Sequence, residues 1–278
     1  MKNEISFNLA GKTIVISGSS KGIGKTLART MGLMGANIVL NGTDKNVLAN
    51  TQTELAQLGI KCIGIPGNVA EISDCMHIAQ SALDHYCSID ILITNAGLLA
   101  LGSLDASNPA VFKQLMDVNY LGAVYMIKAC LPALKCTRGS ILITGSVSGI
   151  RGIPGSGAYS ASKMALTALA ESLTIELKKD RIHVGIAYVG LTQADENKLM
   201  LNAKGEFVSK PMLSKRPAAT QYEVALEMIE MIQERTYKRV FSTLGVINSI
   251  ITRYVPWIGS LLLKRYYQGQ QNMQTHEY

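Results

Sequence analysis

The stretch that decides the fold is IVISGSSKGIG, residues Ile14–Gly24, which joins a β-branched apolar run to a glycine-rich turn. A helical pattern follows, so this stretch predicts a strand, a tight turn and a helix N-terminus in succession. Glycines let the backbone turn sharply and approach a pyrophosphate, while the helix end offers free N–H groups and a positive dipole. At the first strand–helix junction of a chain, the spacing G-x-x-x-G-x-G predicts a dinucleotide site rather than a simple turn.

Short apolar runs recur along the chain and alternate with stretches that have a 3.6-residue period. Each run is β-branched and free of charge, which is typical of parallel strands covered on both faces. The runs are IVIS (Ile14–Ser17), NIVL (Asn37–Leu40), CIGI (Cys62–Ile65), ILIT (Ile91–Thr94), ILIT (Ile141–Thr144) and VGIAYV (Val184–Val189). The alternation predicts an α/β fold, namely a Rossmann-like, doubly wound parallel sheet with flanking helices and a C-terminal helical extension.

Helix boundaries follow from periodicity and from two prolines. The helical period predicts helices over Ile72–His85 and Ala161–Lys178. Asn108 is expected to cap a helix whose first residue is Pro109, because a proline needs no backbone donor there. Pro132 is expected to end the helix in which it lies.

The composition indicates a chain with a large buried core. Of the 278 residues, 47% are hydrophobic and 17% are charged, which excludes a disordered or collagen-like chain. The five cysteines never form C-x-x-C, so we expect reduced thiols in the cytoplasm, no disulfide framework and no metal site. The start MKNEISFNLAGK has no apolar run, which argues against a secretory signal.

Positive charge is concentrated at the C-terminal end. The net charge is +7, and residues 235–278 contribute six Lys or Arg against one Glu. Because the rest of the chain is nearly neutral, we predict no nucleic-acid partner and a local role for the basic tail. We assign residues 1–243 to a dinucleotide-binding and catalytic Rossmann-like domain. Residues 244–278 form an apolar, basic, helical extension of the same domain.

The extension contains two uncharged runs, Val240–Thr252 and Tyr254–Leu263, separated by Arg253. Neither run reaches the ~20 residues needed to span a bilayer. Pro256 predicts two helices, whose apolar bulk, aromatic residues and flanking cations fit peripheral contact of residues 244–268 with a membrane surface. Packing against a second subunit or over the substrate cleft fits equally. Either arrangement surrounds the site with apolar groups and predicts a hydrophobic substrate.

Residues 191–217 interrupt the alternating pattern with mixed charge, one glycine and two prolines. A long irregular segment after a late strand is a lid over a site in some proteins and a disordered surface loop in others. The sequence leaves both interpretations open. Met200 and Met212 lie in this segment and could line an apolar pocket.

The end of the second apolar run bears on the choice of nicotinamide cofactor. A carboxylate there would bond the ribose 2′-hydroxyl of NAD, yet the strand-end residues are Asn41 and Gly42. Lys21, inside the glycine-rich turn, could instead neutralise a 2′-phosphate. We therefore predict NADP(H) as the preferred cofactor. NAD(H) is the alternative, because Asp44 lies close by and Thr43 stands where an arginine would favour NADP(H) more strongly.

Tyr159 and Lys163 have the spacing Y-x-x-x-K at the start of a helical pattern, which places both side chains on one helix face. A phenol titrates at about 10, and a neighbouring ammonium with a positively charged nicotinamide ring would lower that pKa. The phenol could then donate a proton to a carbonyl oxygen while hydride reaches the carbon. Ser146 follows the run Ile141–Thr144, so its hydroxyl is expected near the same oxygen, at the C-terminal edge of the sheet.

These motifs resemble, in order and spacing, those of the short-chain dehydrogenase/reductase family. The resemblance covers about Leu9 to Ser242. SGSSKGIG (Ser17–Gly24) is similar to the cofactor loop of the family, and Asn95-Ala96-Gly97 to its NAG motif. Asn119, in MDVNYLG, is similar to the helical asparagine that holds a proton-relay water. The resemblance implies a homodimer or homotetramer, a hydrogen bond from Lys163 to the nicotinamide ribose, and a catalytic tetrad of Asn119, Ser146, Tyr159 and Lys163.

The chain departs from the family pattern at several positions. Ser17 stands where Thr is usual, and Thr94 replaces an Asn. Asn68-Val69 stand where an Asp often follows the third strand, and Asn68 can still contact adenine. The usual Pro-Gly after the sixth strand is Val189-Gly190, so Gly190 and Thr192 are the candidates for contact with the nicotinamide carboxamide.

A basic residue in the cofactor loop, such as Lys21, accompanies NADP preference in the family. The predicted cofactor-binding residues are Ser17, Gly18, Ser20, Lys21, Gly22, Ile23, Gly24, Thr43, Asn68, Val69, Asn95, Ala96, Gly97, Tyr159, Lys163, Gly190 and Thr192.

The sequence therefore predicts an NADP(H)-preferring oxidoreductase that interconverts a carbonyl and a secondary alcohol on a steroid-, acyl- or lipid-like substrate. Tyr159 would be the general acid in reduction and the general base in oxidation, and Ser146 would polarise the substrate oxygen. A 3-oxoacyl-[acyl-carrier-protein] reductase is an alternative within the same fold. A non-catalytic dinucleotide-binding sensor or scaffold is an alternative of another class, against which the complete tetrad argues.

Overall fold

The structure is a computed structural model that describes residues 8–193, 199–209 and 218–274, apart from the side chains of 266 and 269–274. In chain order the strands are β1 (Thr13–Ile16), β2 (Asn37–Gly42), β3 (Cys62–Pro66), β4 (Ile91–Thr94), β5 (Ser140–Ser146), β6 (His183–Val189), β7 (Leu199–Leu201), β8 (Phe207–Ser209) and β9 (Lys238–Val240). The α-helices are α1 (Gly22–Leu33), α2 (Lys45–Gln57), α3 (Ile72–Tyr86), α4 (Pro109–Leu115), α5 (Gly122–Thr137), α6 (Gly157–Glu176), α7 (Gln221–Gln233), α8 (Thr243–Tyr254) and α9 (Pro256–Gln274).

Seven of the described strands form one parallel sheet in the order β3-β2-β1-β4-β5-β6-β9. Strands β7 and β8 pair antiparallel in a separate hairpin. Ile14 of β1 lies opposite Ile38 of β2 on one side and Ile91 of β4 on the other. The strand order reverses between β1 and β4, so the loops after these two strands diverge and open a crevice at the C-terminal edge. The predicted Rossmann-like, doubly wound sheet is confirmed.

Helices cover both faces of the sheet, which explains why β1 is apolar at each position from Ile14 to Ile16. Ile14 and Ile16 belong to the core cluster that includes Met228 of α7. Val15 belongs to the cluster on the opposite face, with Met126 of α5. All five side chains are fully buried. Since burial of each contributes about 1.5–3 kcal/mol, a strand between two helical layers gains from an apolar residue at each position.

The helix that contains Pro132 does not end there. It continues for five further residues, so the prediction that this proline ends the helix is wrong. Proline removes one backbone donor, but the buried side chains of Cys130 and Leu134 hold the helix against the core on both sides of it. At the other proline the prediction is confirmed, because Pro109 begins α4 and the Asn108 side chain accepts from Ala110 N at 2.9 Å.

Part of the segment 191–217 is an ordered hairpin that contains β7 and β8. Leu201 N donates to Leu99 O at 2.9 Å, which joins the hairpin to the loop after β4. Met200 is buried there, whereas Met212 lies outside the described residues. The described part of the segment is thus packed structure beside the C-terminal edge of the sheet.

Helices α8 and α9 follow the last strand, and α9 begins at Pro256, where the sequence predicted a division. The Ser242 hydroxyl caps α8 by accepting from Gly245 N at 3.0 Å. Across the part of the chain that the structure describes, no helix combines the length and the apolar character needed to cross a bilayer.

Asn41, at the end of β2, joins the ends of three neighbouring strands and is 1% exposed. Its Oδ1 accepts from Gly18 N at 3.3 Å, and its Nδ2 donates to Ile65 O at 3.2 Å and to Gly67 O at 3.1 Å. Its backbone pairs with Ser19, since Asn41 N donates to Ser19 Oγ at 2.9 Å and Ser19 N donates to Asn41 O at 2.8 Å. Asn41 therefore holds the glycine-rich turn against β2.

We expect Asn41→Ala to lower the free energy of unfolding by about 1–3 kcal/mol, because it leaves buried backbone groups without their partner. Urea unfolding followed by circular dichroism measures this loss. Asn50→Ala, which truncates an exposed asparagine on α2, is the control and should change stability by at most about 0.5 kcal/mol. Equal stability of the two variants would contradict the role given to Asn41.

Candidate active site

The loops after β1 and β4 are joined by reciprocal hydrogen bonds at the crevice. Ser17 Oγ accepts from Asn95 N at 3.0 Å and from Ala96 N at 3.1 Å. In return, Asn95 Nδ2 donates to Ser17 O at 3.1 Å and to Gly18 O at 2.9 Å. The predicted cofactor loop and the predicted Asn-Ala-Gly motif therefore form one rigid unit. Ser17, which departs from the usual Thr, keeps a hydroxyl acceptor at this position.

Two glycines are required by close approach within this unit. Gly18 has φ +62°, and a Cβ there would lie 2.7 Å from Ala96 Cα. A Cβ on Gly24 would lie 2.4 Å from Gly18 O and 2.6 Å from Asn95 Nδ2. Any side chain at Gly24 would therefore push the first turn of α1 away from the loop. The spacing of glycines in the sequence reflects this packing of helix on loop.

Among the described residues, the carboxylate that follows β2 is already engaged, and an exposed cation lies in the glycine-rich turn. Asp44 caps α2, its side chain accepting from Asn46 N at 2.9 Å and from Val47 N at 3.1 Å. Lys21 is exposed at the position before α1, and Thr43 is exposed after β2. A groove of about 640 Å³ beside the turn is lined by Ser20, Lys21, Gly22, Lys25, Thr26, Arg29, Val47, Asn50, Thr51, Glu54, Gln221 and Tyr222. Within it Lys25 pairs with Glu54 at 2.6 Å.

Ser146, Tyr159 and Lys163 meet at the C-terminal end of β5. Ser146 is the last residue of that strand, and its Oγ accepts from Ser148 N at 3.2 Å. Tyr159 and Lys163 lie one turn apart on α6, and the Ser146 side chain lies close enough to the Tyr159 hydroxyl to influence its pKa. Lys163 is 5% exposed, and its Nζ donates to Thr144 O at 2.9 Å. The sheet edge and one helix face thus bring the three predicted residues together.

The pKa of Tyr159 is raised in the structure, whereas the sequence predicted that the ammonium of Lys163 and a positively charged nicotinamide ring would together lower it. Burial is the larger cause and raises the pKa, while the neighbouring Ser146 side chain lowers it in part. Lys163 Nζ lies 6.0 Å from the centre of the phenol ring and donates to a backbone carbonyl. The phenol is therefore protonated at neutral pH, which is the form that can donate a proton.

Asn119 lies in a π-helical turn, Met116–Leu121, between α4 and α5. Its Oδ1 accepts from Leu98 N at 2.7 Å, and its Nδ2 donates to Leu98 O and to Ser162 Oγ, each at 2.9 Å. The side chain thus joins the loop after β4 to α6. A Cβ on Gly97 would lie 3.1 Å from Asn119 Oδ1 and 3.6 Å from Lys163 Nζ, so Gly97 separates two of the predicted tetrad residues.

The remaining predicted cofactor residues lie around the same edge. Asn68 is exposed after β3, where its N donates to Asp74 Oδ2 at 2.8 Å. Val69 is buried, and a Cβ on Gly122 would lie 2.7 Å from its Cγ2, so its side chain belongs to the core. Gly190 follows β6, and Thr192 Oγ1 donates to Gly190 O at 3.3 Å. Gly22 begins α1 with φ +63°, and Ile23 packs partly into the core.

Several supporting groups at the site were not identified from the sequence. Ser19 Oγ donates to Ile16 O at 2.7 Å and accepts from Asn41 N, and Ser162 Oγ accepts from Asn119. The position of Ser19 in the glycine-rich turn could have indicated its role, whereas Ser162 lies inside a helix and carries no such signal. The Thr144 carbonyl that binds Lys163 carries no sequence signal, because every residue has that group. Among the described residues, no three His, Cys, Asp or Glu side chains cluster in a way that could hold a metal ion.

Comparison with known proteins agrees with this geometry. The short chain dehydrogenase family matches residues 12–204. Three relatives are a dehydrogenase/reductase SDR family protein 7-like from Anopheles gambiae, an 11-beta-hydroxysteroid dehydrogenase-like 2 from Arabidopsis thaliana and a 3-dehydrosphinganine reductase from Danio rerio. Their identities to this chain are 31%, 27% and 35% over 231, 265 and 202 residues. These alignments cover 81%, 94% and 68% of this chain and 73%, 86% and 60% of the respective relatives.

Solved structures share the fold. A short chain dehydrogenase/reductase from Burkholderia phymatum in complex with NAD has a TM-score of 0.77 at 22% identity, over 88% of this chain and 94% of its own. An alcohol dehydrogenase from the archaeon Thermococcus sibiricus, complexed with 5-hydroxy-NADP, has a TM-score of 0.73 at 25% identity, over 84% and 97% of the two chains. The chain belongs to the short-chain dehydrogenase/reductase family and is an oxidoreductase of the class that acts on alcohols and carbonyls.

Proposed function

We propose that this chain is an NADP(H)-preferring oxidoreductase that interconverts a carbonyl and a secondary alcohol on a hydrophobic substrate, with Asn119, Ser146, Tyr159 and Lys163 as its catalytic tetrad. The observation that carries the proposal is the placement of Tyr159 beside both Ser146, the last residue of β5, and Lys163, whose Nζ donates to Thr144 O in the same strand, at the sheet edge that also holds the glycine-rich turn. A sensor or scaffold would bind a nucleotide without a proton donor aligned at that edge.

The residues present fit a dinucleotide. The cradle between the glycine-rich turn and the tetrad is lined at Gly18 and Gly97 by backbone alone, and a Cβ on Gly97 would crowd the Asn119 side chain. The N-terminus of α1 faces the same crevice and favours an anionic group. We place the pyrophosphate at residues 17–24 and the nicotinamide ribose near Tyr159 and Lys163. When bound, the nicotinamide supplies the hydride.

In the proposed reduction, the substrate oxygen lies between the hydroxyls of Tyr159 and Ser146. Ser146 Oγ accepts from Ser148 N, which leaves the serine hydroxyl proton for the substrate oxygen as negative charge develops there. Tyr159 donates its phenolic proton to that oxygen, and the ammonium of Lys163 stabilises the phenolate that remains. Asn119 keeps α6 and the loop after β4 at a fixed distance and so positions the phenol. Oxidation of an alcohol runs through the same groups in reverse.

Preference for NADP(H) is supported by the use of charge at the end of β2. The Asp44 carboxylate accepts hydrogen bonds from two backbone N–H groups of α2. The Asn41 side chain is hydrogen-bonded to Gly18 N and to Ile65 O. Neither is therefore well placed to bond a ribose 2′-hydroxyl. Ser20 lies against the end of β2, since its Oγ would be 2.8 Å from a Cβ on Gly42. Lys21 is the next residue and is exposed, so the ammonium of Lys21 can reach a 2′-phosphate bound there.

A hydrophobic substrate is supported by the apolar cluster beside Tyr159. The cluster joins the loop after β4, helices α4 and α6 and the hairpin strand β7; its buried members are Ala100, Val111, Leu115, Ala158 and Leu201. Two relatives carry names that refer to a hydroxysteroid and to a sphinganine. We therefore place steroid-, acyl- or lipid-like carbonyls first among candidate substrates, ahead of 3-oxoacyl thioesters on a carrier protein. A cytoplasmic location and a homodimer or homotetramer remain predictions.

We expect Tyr159→Phe to lower kcat for carbonyl reduction by about 10²–10⁴-fold, because the general acid is removed while the ring and its packing remain. The assay follows NADPH absorbance with a long-chain ketone, a ketosteroid and a 3-oxoacyl thioester as substrates. NADPH binding, measured by fluorescence titration, should stay within a few fold of the parent. Tyr86→Phe, which removes a phenolic hydroxyl at the end of α3, is the control. Undiminished turnover by Tyr159→Phe would refute the proposed chemistry.

We expect Lys21→Ala to raise KM for NADPH about 10–100-fold and to leave KM for NADH within about twofold, because one charge-assisted contact with the 2′-phosphate is lost. Parallel initial-rate measurements with both cofactors give the ratio. Lys61→Ala removes an exposed lysine before β3, at the opposite edge of the sheet, and should not change the ratio. If the ratio of KM for NADPH to KM for NADH is the same in Lys21→Ala as in the parent, Lys21 does not determine the NADP(H) preference.

A further inference from the structure

Helices α8 and α9 expose an apolar surface that no other described element covers. On α8 the exposed residues Leu244, Ile247, Ile250 and Tyr254 recur at intervals of three, three and four, which places them on one helix face. Eight large apolar or aromatic side chains on the two helices are each at least 42% exposed: Leu244, Val246, Ile247, Ile250, Tyr254, Trp257, Leu261 and Leu262. We name these eight residues the apolar patch. A cluster of this kind marks an interaction surface.

The surroundings of the apolar patch carry charge of one sign. Arg253 lies at the end of α8, and Lys264 and Arg265 lie one turn beyond Leu261 on α9, all three exposed. No acidic residue occurs between Glu234 and Glu277, a stretch that contains six Lys or Arg. The patch therefore combines apolar side chains, an aromatic pair (Tyr254 and Trp257) and cations, which is the composition of helices that lie in a bilayer interface.

A second copy of this chain fits the apolar patch less well than a lipid surface does. A two-fold contact would bring Arg253, Lys264 and Arg265 of both copies to one interface, where α8 and α9 offer no acidic partner. Anionic lipid headgroups supply the missing negative charge, and each Lys or Arg near such a surface favours binding. Charge complementarity thus selects an anionic bilayer as the occupant.

The apolar patch is attached to the segment between Ser146 and Tyr159. Arg151, in that segment, donates from its guanidinium to Thr252 Oγ1 at 3.4 Å, to Pro256 O at 3.1 Å and to Ser260 Oγ at 2.7 Å. One side chain therefore holds the ends of both helices.

Two glycines permit the close packing of these helices on the same segment. A Cβ on Gly245 would lie 2.8 Å from Val147 Cγ1, and a Cβ on Gly259 would meet the Arg151 guanidinium. Whatever binds the apolar patch is consequently held beside the strand end that carries Ser146.

We propose that α8 and α9 dock this protein on an anionic bilayer surface, with Arg151 fixing the docked helices beside the catalytic segment. Docking brings the mouth of the site to the lipid, so that a hydrophobic carbonyl compound can enter from the bilayer. This last point rests on the proposed function, whereas the docking itself does not depend on turnover.

The test is co-sedimentation of the full chain with vesicles of phosphatidylcholine alone and of phosphatidylcholine with 30% phosphatidylserine. We expect binding to the mixed vesicles, and we expect it to weaken as salt is raised. Trp257→Ser with Leu261→Ser should lower the partition coefficient at least tenfold. Lys264→Ala with Arg265→Ala should lower binding to the mixed vesicles about tenfold and reduce the difference between the two vesicle types.

The matched control is Leu33→Ser with Ile175→Ser, which removes two side chains of comparable exposure, 57% and 78%, far from α8 and α9. This variant should partition as the parent chain does. If the parent and Trp257→Ser/Leu261→Ser partition equally between vesicles and solution, the proposal is overturned. It is also overturned if the parent chain binds neither type of vesicle. Size exclusion with light scattering measures the oligomeric state of the parent and of Trp257→Ser/Leu261→Ser. If the parent is a dimer that binds no vesicles and the double variant is a monomer, the apolar patch contacts a second copy and the proposal is wrong.

Discussion

The reciprocal hydrogen bonds between Ser17 and Asn95 are the contact on which the rest of the site depends. They join the loops after β1 and β4 at the one place where the strand order of the sheet reverses. Because the two loops diverge there, an unbridged crevice would leave each loop free to move separately. With the bridge in place, Gly18 lies against Ala96 and Gly24 lies against Gly18 and Asn95, so the start of α1 is held against both loops.

Buried polar side chains do most of the remaining positioning. The side chains of three buried residues, Asn41, Asn119 and Lys163, are hydrogen-bonded to the backbone of another element. Because burial of a polar group is costly without such a bond, each of these bonds also fixes the position of the element that it joins. The same burial raises the pKa of Tyr159. A phenol whose pKa is raised in this way stays protonated at neutral pH, and the charges of the proposed nucleotide would lower that pKa when it binds.

Prediction from the sequence succeeded where a local pattern and a tertiary requirement coincide. The six apolar runs became strands, because only parallel strands between two helical layers need such uninterrupted apolar residues. Strand β9 was not predicted, because this short edge strand contains the charged residues Lys238 and Arg239. Arg239 forms ion pairs with Glu230 in α7 and with Glu234 directly after that helix. Pro132 misled for the opposite reason, because core packing outweighs one lost backbone hydrogen bond.

By itself, the sequence determined the order of the first six strands, the glycine-rich turn at the first junction and the chemical types at Ser146, Tyr159 and Lys163. These follow from local steric limits, hydrophobic period and side-chain chemistry, which a linear sequence carries directly. Only the tertiary structure decided that Asn41 bonds to the ends of neighbouring strands, that the pKa of Tyr159 rises and that Arg151 joins α8 and α9 to the segment between Ser146 and Tyr159. Each of these depends on burial and on partners distant in the chain, and neither quantity exists until the chain has folded.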